Sequence, residues 1–165
     1  MTEIVLIAHN LRSTHNVGSL LRTAEGLGIR SVYLTGYTPY PIMLGDTRLP
    51  HLAHKIDAQI HKTALGAEQM LAIKHDEDIN AVIDELHQEG FQIIALEQDK
   101  RAIPLTLYTP SQKVAVIVGR EVEGIEIEVR NQCDQIVEIP MSGTKESFNV
   151  AVAAAMALFQ LTFHT

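Results

Sequence analysis

Two apolar strands that each end in a turn, both feeding one long apolar helix, constrain this chain more than any other feature. VAVIVGREVEG (Val114 to Gly124) and IVEIPMSGTKESFNV (Ile136 to Val150) are β-branched runs that stop at small or turn-forming residues. Such strand ends place main-chain N–H and C=O groups where a ligand can reach them. Two of them side by side predict one pocket built mainly from backbone. The polar residues set into them, Glu121, Ser147 and Asn149, are few and specific.

The remainder reads as an α/β chain. Residues 3–8 form a buried strand ending at His9-Asn10, and HNVGSLLRTAEGLG follows, with Val17, Leu20, Leu21, Ala24 and Leu27 at helical spacing. Asn16 stands where an N-cap belongs and Gly28 where the helix should stop. A strand at 31–35 gives the strand–helix–strand order of a parallel sheet. Residues 36–60, punctuated by Gly36, Pro39, Pro41, Gly45 and Pro50, are expected to be a long functional loop. A helical turn is expected at 62–71 and an amphipathic helix at 78–89, then strands at 91–96, 113–118 and 135–139. A short helix at 125–133 separates the last two strands, and the apolar helix spans 150–163. A single domain over residues 1–165 is the expectation for this length, with 46% hydrophobic residues.

Charge is unevenly spread. The chain carries a formal net charge of −7, yet residues 1–62 hold six Lys and Arg against four acids, and the rest seven against sixteen. A polyanion would therefore meet the N-terminal portion, with weak non-specific affinity. Cys133 is the only cysteine, which excludes an internal disulfide and points to a reducing, cytoplasmic compartment. The stretch 148–163 falls short of about twenty apolar residues and contains Asn149, Gln160 and Thr162, so no membrane span is expected. His51, His54 and His61 lack the flanking Glu of a zinc-protease helix, so no metal is expected. Gly119 to Gly124 is not a Walker loop, and Gly26-Leu-Gly28 closes a helix instead of opening one.

What remains is Asn16, Arg22, Glu121, Ser147 and Asn149. Each also has a structural reading: Asn16, Ser147 and Asn149 as helix caps, Arg22 as a solvated helix arginine, Glu121 as one acid among several. Together, at strand ends around one predicted pocket, they form a candidate site.

Three blocks carrying these residues resemble the SPOUT-class RNA methyltransferases, in the TrmH-like branch that methylates ribose 2′-hydroxyls. HNVGSLLRTAEGLG resembles the first motif through Asn16 and Arg22. VAVIVGREVEG resembles the second through Gly119 and Glu121, and IPMSGTKESFNVAVAAA the third through Ile139, Pro140, Met141, Ser147 and Asn149. Two positions depart from the pattern: Phe148 stands in place of the usual leucine and Arg120 in place of the usual asparagine. The resemblance implies a mainly parallel sheet flanked by helices, with a C-terminal deep trefoil knot. It also implies S-adenosylmethionine held around Leu96, Gly119, Ile139, Met141 and Phe148, with Arg22, Asn16, Glu121, Ser147 and Asn149 as catalytic residues. The substrate would be tRNA or rRNA, and the enzyme a homodimer whose sites gather residues from both subunits, without an added RNA-recognition domain. Tyr37 and Tyr40 are candidates for stacking on an unpaired base. The rival reading is a knotted RNA-binding protein that binds S-adenosylmethionine without transferring methyl. Methylation of a base or of protein is a weaker third.

Overall fold

Alternation within single strands sets the layering. In β1 (Glu3–His9), Ile4, Leu6 and Ala8 pack into one hydrophobic cluster while Val5 and Ile7 pack into another. A strand apolar on both faces must be covered on both, which is the condition for an all-parallel sheet with helices on either side.

The computed structural model, which describes residues 2–163, has that arrangement. Its sheet adds β2 (Ser31–Thr35), β3 (Ala72–Asp76), β4 (Gln92–Leu96), β5 (Ile103–Pro104), β6 (Lys113–Val118) and β7 (Gln135–Glu138). The seven strands run parallel in the order β3-β2-β1-β6-β4-β7-β5. Strands late in the sequence thus lie inside: β6 sits between β1 and β4, and β7 between β4 and β5. The two edges are short or half-polar. β3 alternates exposed and half-buried residues, and β5 ends in Pro104, which offers no N–H to a further strand.

One face is covered by α1 (Thr14–Gly26), α2 (Pro50–Ala64) and α5 (Val150–Thr162), through Val17, Leu20, Leu21, Ile60, Ala154 and Leu158. The other is covered by α3 (Ile79–Gln88) and the short α4 (Ile127–Arg130), through Val82, Ile83, Leu86 and Val129. Strands β1, β2, β4, β6 and β7 and helices α1, α3 and α5 lie within the stretches expected from the sequence, to within a few residues.

Two expectations need correction. Ser13, not Asn16, caps α1: its hydroxyl accepts from Asn16 N at 3.2 Å, so the helix starts earlier and Asn16 falls in its first turn. The segment 36–60 is not one long loop, because α2 begins at Pro50. Proline at the first helical position lacks only an N–H that has no partner there, so it starts this helix instead of breaking it. The helical turn expected at 62–71 is the end of α2 with a further turn at Ala67–Gln69, while β3 and the short β5 had no counterpart in the sequence reading.

Ile117 is fully buried on β6, at the centre of the α3 side. Replacing it with Ala should cost about 2–5 kcal/mol, seen as a lower urea midpoint with an unchanged slope. A midpoint equal to wild type would contradict this packing.

Candidate active site

The carboxyl ends of β4, β6 and β7 open into one hollow of about 140 Å³. Four segments wall it: Leu96–Gln98, Val118–Gly124, Glu138–Ile139 and the run from Ser147 into α5. Leu96, Gly119, Ile139 and Phe148 lie in its wall, as do Glu121 and Ser147; half-buried Met141 does not.

Tight turns shape this wall. A Cβ on Gly119 would meet Ile125 Cγ1 at 2.5 Å and the Gly124 carbonyl carbon at 2.8 Å, so any side chain there would force the turn open. Gly124 adopts φ +71°, and a Cβ on it would run into the Glu97 carboxylate. Glu97 accepts from Ile125 N at 2.8 Å and from Gln98 N at 2.9 Å, which ties the turn after β6 to the end of β4. Gly124 N donates to Arg120 O at 3.1 Å and closes the loop on itself.

Polar groups from three distant parts of the sequence meet beside the hollow. The Glu121 carboxylate accepts from Ser13 N at 3.1 Å, Arg12 N at 3.3 Å and Asn16 Nδ2 at 3.3 Å. Asn16 Oδ1 accepts from Asn149 Nδ2 at 3.2 Å. Asn149 Oδ1 caps α5 by accepting from Ala151 N at 2.9 Å and Val152 N at 3.3 Å. These roles allow one direction only. A carboxylate can only accept, so Asn16 must turn its NH₂ toward Glu121 and its oxygen toward Asn149. Asn149 must then offer its own NH₂, which leaves its oxygen for the N–H groups of α5. The first, second and third motifs are thereby one hydrogen-bonded chain.

Burial pushes the Glu121 pKa up, but its own N–H, Ser13 N, the Asn16 amide and Arg12 N together hold it below the ordinary value. The carboxylate is therefore charged at neutral pH and serves as an acceptor and orienting group.

Arg22 is placed differently. It lies six positions after Asn16 on α1, which carries it about 9 Å along the helix and roughly 120° around it. Its side chain is exposed, and among the described residues no hydrogen bond or ion pair engages it. Ser147 is exposed on the wall. Of the five expected catalytic residues, the fold joins Glu121, Asn16 and Asn149, sets Ser147 in the wall, and leaves Arg22 outside its own chain's hollow.

A second polar cluster, which sequence reasoning missed, lies under the loops. His9 Nδ1 is 2.9 Å from Thr35 Oγ1, and Asn10 Nδ2 is 3.0 Å from both His9 Nε2 and Glu126 Oε1. Burial lowers the His9 pKa, with the Glu126 charge opposing the shift. Arg120 reaches Glu126 Oε1 at 3.5 Å and donates from Nε to Gly124 O at 3.3 Å, so its guanidinium is partly engaged inside the protein. The only sequence signal was the His9-Asn10 pair closing a buried strand. Among the histidines of α2, His51 and His54 are exposed, and His61 pairs with Glu68 at 2.6 Å. Among the described residues no group of three metal-ligating side chains assembles.

Replacing Glu121 with Gln should destabilise the fold at neutral pH, and the difference should depend on acidity. Because the folded pKa is depressed, the wild-type advantage is complete above the ordinary carboxylate value of 4.5 and fades as pH falls through the lower folded value. Paired melts from neutral to acid pH would show a narrowing gap; a constant gap would contradict the charge assignment. Asn16→Asp should cost about 1–3 kcal/mol at neutral pH, since a second carboxylate would face Glu121.

Residues 3–159 match the SpoU rRNA Methylase family. A 23S rRNA (guanosine-2'-O-)-methyltransferase, RlmB, of Acinetobacter baylyi is 28% identical over 158 residues, covering 95% of this chain and 58% of that protein. A tRNA (guanosine(18)-2'-O)-methyltransferase of Borreliella burgdorferi is 25% identical, covering 96% of this chain and 65% of that one. The AdoMet-bound rRNA methyltransferase from Sinorhizobium meliloti superposes with a TM-score of 0.79 at 20% identity, over 98% of this chain and 56% of its own. The chain thus spans less than two thirds of each curated relative and shares its fold with the solved enzyme. The chain belongs to the SpoU rRNA methylase family.

Proposed function

We propose that this protein transfers a methyl group from S-adenosylmethionine to a ribose 2′-hydroxyl of RNA, tRNA or rRNA, as a homodimeric cytoplasmic enzyme. The observation that carries this reading is the Glu121–Asn16–Asn149 chain, which locks three family motifs together beside a backbone-lined hollow.

The hollow suits the cofactor chemically. Leu96, Ile139 and Phe148 offer apolar contact for an adenine, and main-chain groups at Gly119 and Ile139 offer hydrogen bonds. Glu97, Glu121, Glu123 and Glu138 around it favour a cationic ligand. When bound, S-adenosylmethionine supplies an activated methyl group with a neutral leaving group. The protein's task is then in-line positioning and handling of the hydroxyl proton.

Arg22 meets the second need. A guanidinium has a pKa above about 12 and is a poor base. It acts by clamping the neighbouring phosphate and stabilising negative charge on the 2′-oxygen, while a phosphate oxygen or water accepts the proton. Since Arg22 lies outside its own chain's hollow, it serves the hollow of a second subunit.

α5 supports the same assembly. Its inward side buries Ala151, Ala154, Leu158 and Leu161, yet its outward side also exposes Val152, Met156, Phe159 and Phe163 at helical spacing. An apolar stripe of this kind marks an interface, and α5 packs directly on α1, the helix that carries Arg22. The reading includes the C-terminal knot, which accords with late strands β6 and β7 lying inside the sheet. Among the described residues no helix is long and apolar enough to cross a membrane.

Arg22→Ala should abolish transfer to RNA while calorimetry still detects S-adenosylmethionine binding; near-normal turnover would overturn its role. Phe159→Glu should convert a dimer to a monomer by light scattering and remove activity with it. A wild-type protein that binds cofactor but moves no tritium-labelled methyl to transfer or ribosomal RNA would contradict the enzyme assignment.

A further inference from the structure

Two tyrosines follow β2, and the fold gives them opposite fates. Tyr40 is sandwiched: His75 stacks on it at 3.9 Å, and the Arg48 guanidinium lies 3.6 Å from its ring centroid on Arg48's bonds to Tyr40 O and Pro41 O. Nothing further can stack there. Tyr37 keeps 52% of its surface exposed.

The backbone of Tyr37 is nonetheless fixed. Its N–H donates to Asn10 Oδ1 at 3.1 Å. Asn10 itself adopts φ 55°, a left-handed conformation that asparagine tolerates better than other side-chain-bearing residues, and its NH₂ is bound to Glu126. The turns after β1, β2 and β6 are thereby joined under Tyr37. A ring on an anchored backbone loses little freedom when a ligand stacks on it.

Arg12 follows two residues after Asn10, the residue whose side chain anchors the Tyr37 backbone. The neighbouring Tyr37, with the Glu123 charge adding, holds the Arg12 pKa above its ordinary value. Its main chain is bound to Glu121, while its side chain remains 68% exposed and reaches Glu123 only at 3.5 Å. An exposed pair of that length contributes little and exchanges readily for a phosphate. Glu121 and Glu123 both line the hollow, so Arg12, bonded to both, adjoins its wall.

We propose that Tyr37 and Arg12 form a shelf, beside the hollow, that holds an unpaired nucleotide of the RNA substrate, Tyr37 stacking on its base and Arg12 contacting its phosphate. The proposal rests on the RNA methyltransferase reading and adds where the strand is gripped. A ribose can enter a hollow walled by four loops only if its nucleotide leaves the helical stack, and an exposed aromatic face is what receives an unstacked base. Tyr37 gives affinity without base identity, since every base has a π-face.

The test measures binding of a short fluorescein-labelled single-stranded RNA of mixed sequence, alongside methyl transfer to unmodified tRNA and rRNA transcripts. Tyr37→Ala should weaken RNA binding about 5- to 150-fold and raise the KM for RNA with little change in kcat. Tyr37→Phe should bind nearly as wild type, because the ring is kept. Arg12→Ala should weaken binding and lower the salt dependence by about one ion. All three should retain the wild-type melting temperature and affinity for S-adenosylmethionine. Wild-type-like RNA affinity in Tyr37→Ala, an equal loss in Tyr37→Phe, or no RNA binding by the wild type would each overturn the shelf. A wild type that binds the RNA through Tyr37 yet transfers no methyl would instead overturn the enzymatic reading and leave the shelf standing.

Discussion

The carboxylate of Glu121 is the acceptor on which the site depends. It draws the Ser13 and Arg12 N–H groups and the Asn16 amide to one point, and the polarity of that last bond propagates through Asn16 to Asn149 and into the cap of α5. No member can be reversed without leaving a donor facing a donor or an acceptor facing an acceptor. The start of α1, the turn after β6 and the start of α5 are therefore held as one unit. Glu97 does the same for the turn between β6 and α4.

The same bond has a geometric consequence for catalysis. With Asn16 fixed toward Glu121, helical geometry turns Arg22 to another side of α1. In the proposed reading the site is complete only when another copy brings its own Arg22, and the apolar stripe that α5 exposes next to α1 is the surface on which that copy would dock. The proposed shelf at Tyr37 and Arg12 adjoins the hollow's polar wall through Arg12's bonds to Glu121 and Glu123.

Much of this was legible in the sequence because buried strands and amphipathic helices repeat with fixed periods. The continuous apolar runs of β1 and β6 and the helical spacing of Val17, Leu20, Leu21 and Ala24 depend on burial, which leaves a pattern. α2 is hidden in the sequence because Pro50 reads as a breaker although its position makes it a start, and because only Ala53, Ile60 and Ala64 of that helix are buried. β3 escaped notice as an edge strand with no fully buried residue. Asn16, Glu121 and Asn149 were identifiable through the family resemblance, but the relay between them was not, since residues more than a hundred positions apart carry no mutual spacing signal. His9, Asn10 and Glu126 left no pattern because each is a single polar residue at an element end. The fates of Tyr37 and Tyr40 depended on Arg48 and His75, which only the fold brings to Tyr40.

Mixed-subunit complementation tests the central claim most directly. Arg22→Ala and Glu121→Ala subunits, each inactive as a homodimer, would be co-expressed, and the heterodimer purified through two different tags. One of its two composite sites would combine an intact Glu121 relay with an intact Arg22 from the other subunit. Methyl transfer to RNA should return in the heterodimer. A heterodimer as inactive as its parents, with cofactor binding retained in the Arg22→Ala subunit, would contradict delivery of Arg22 across the interface.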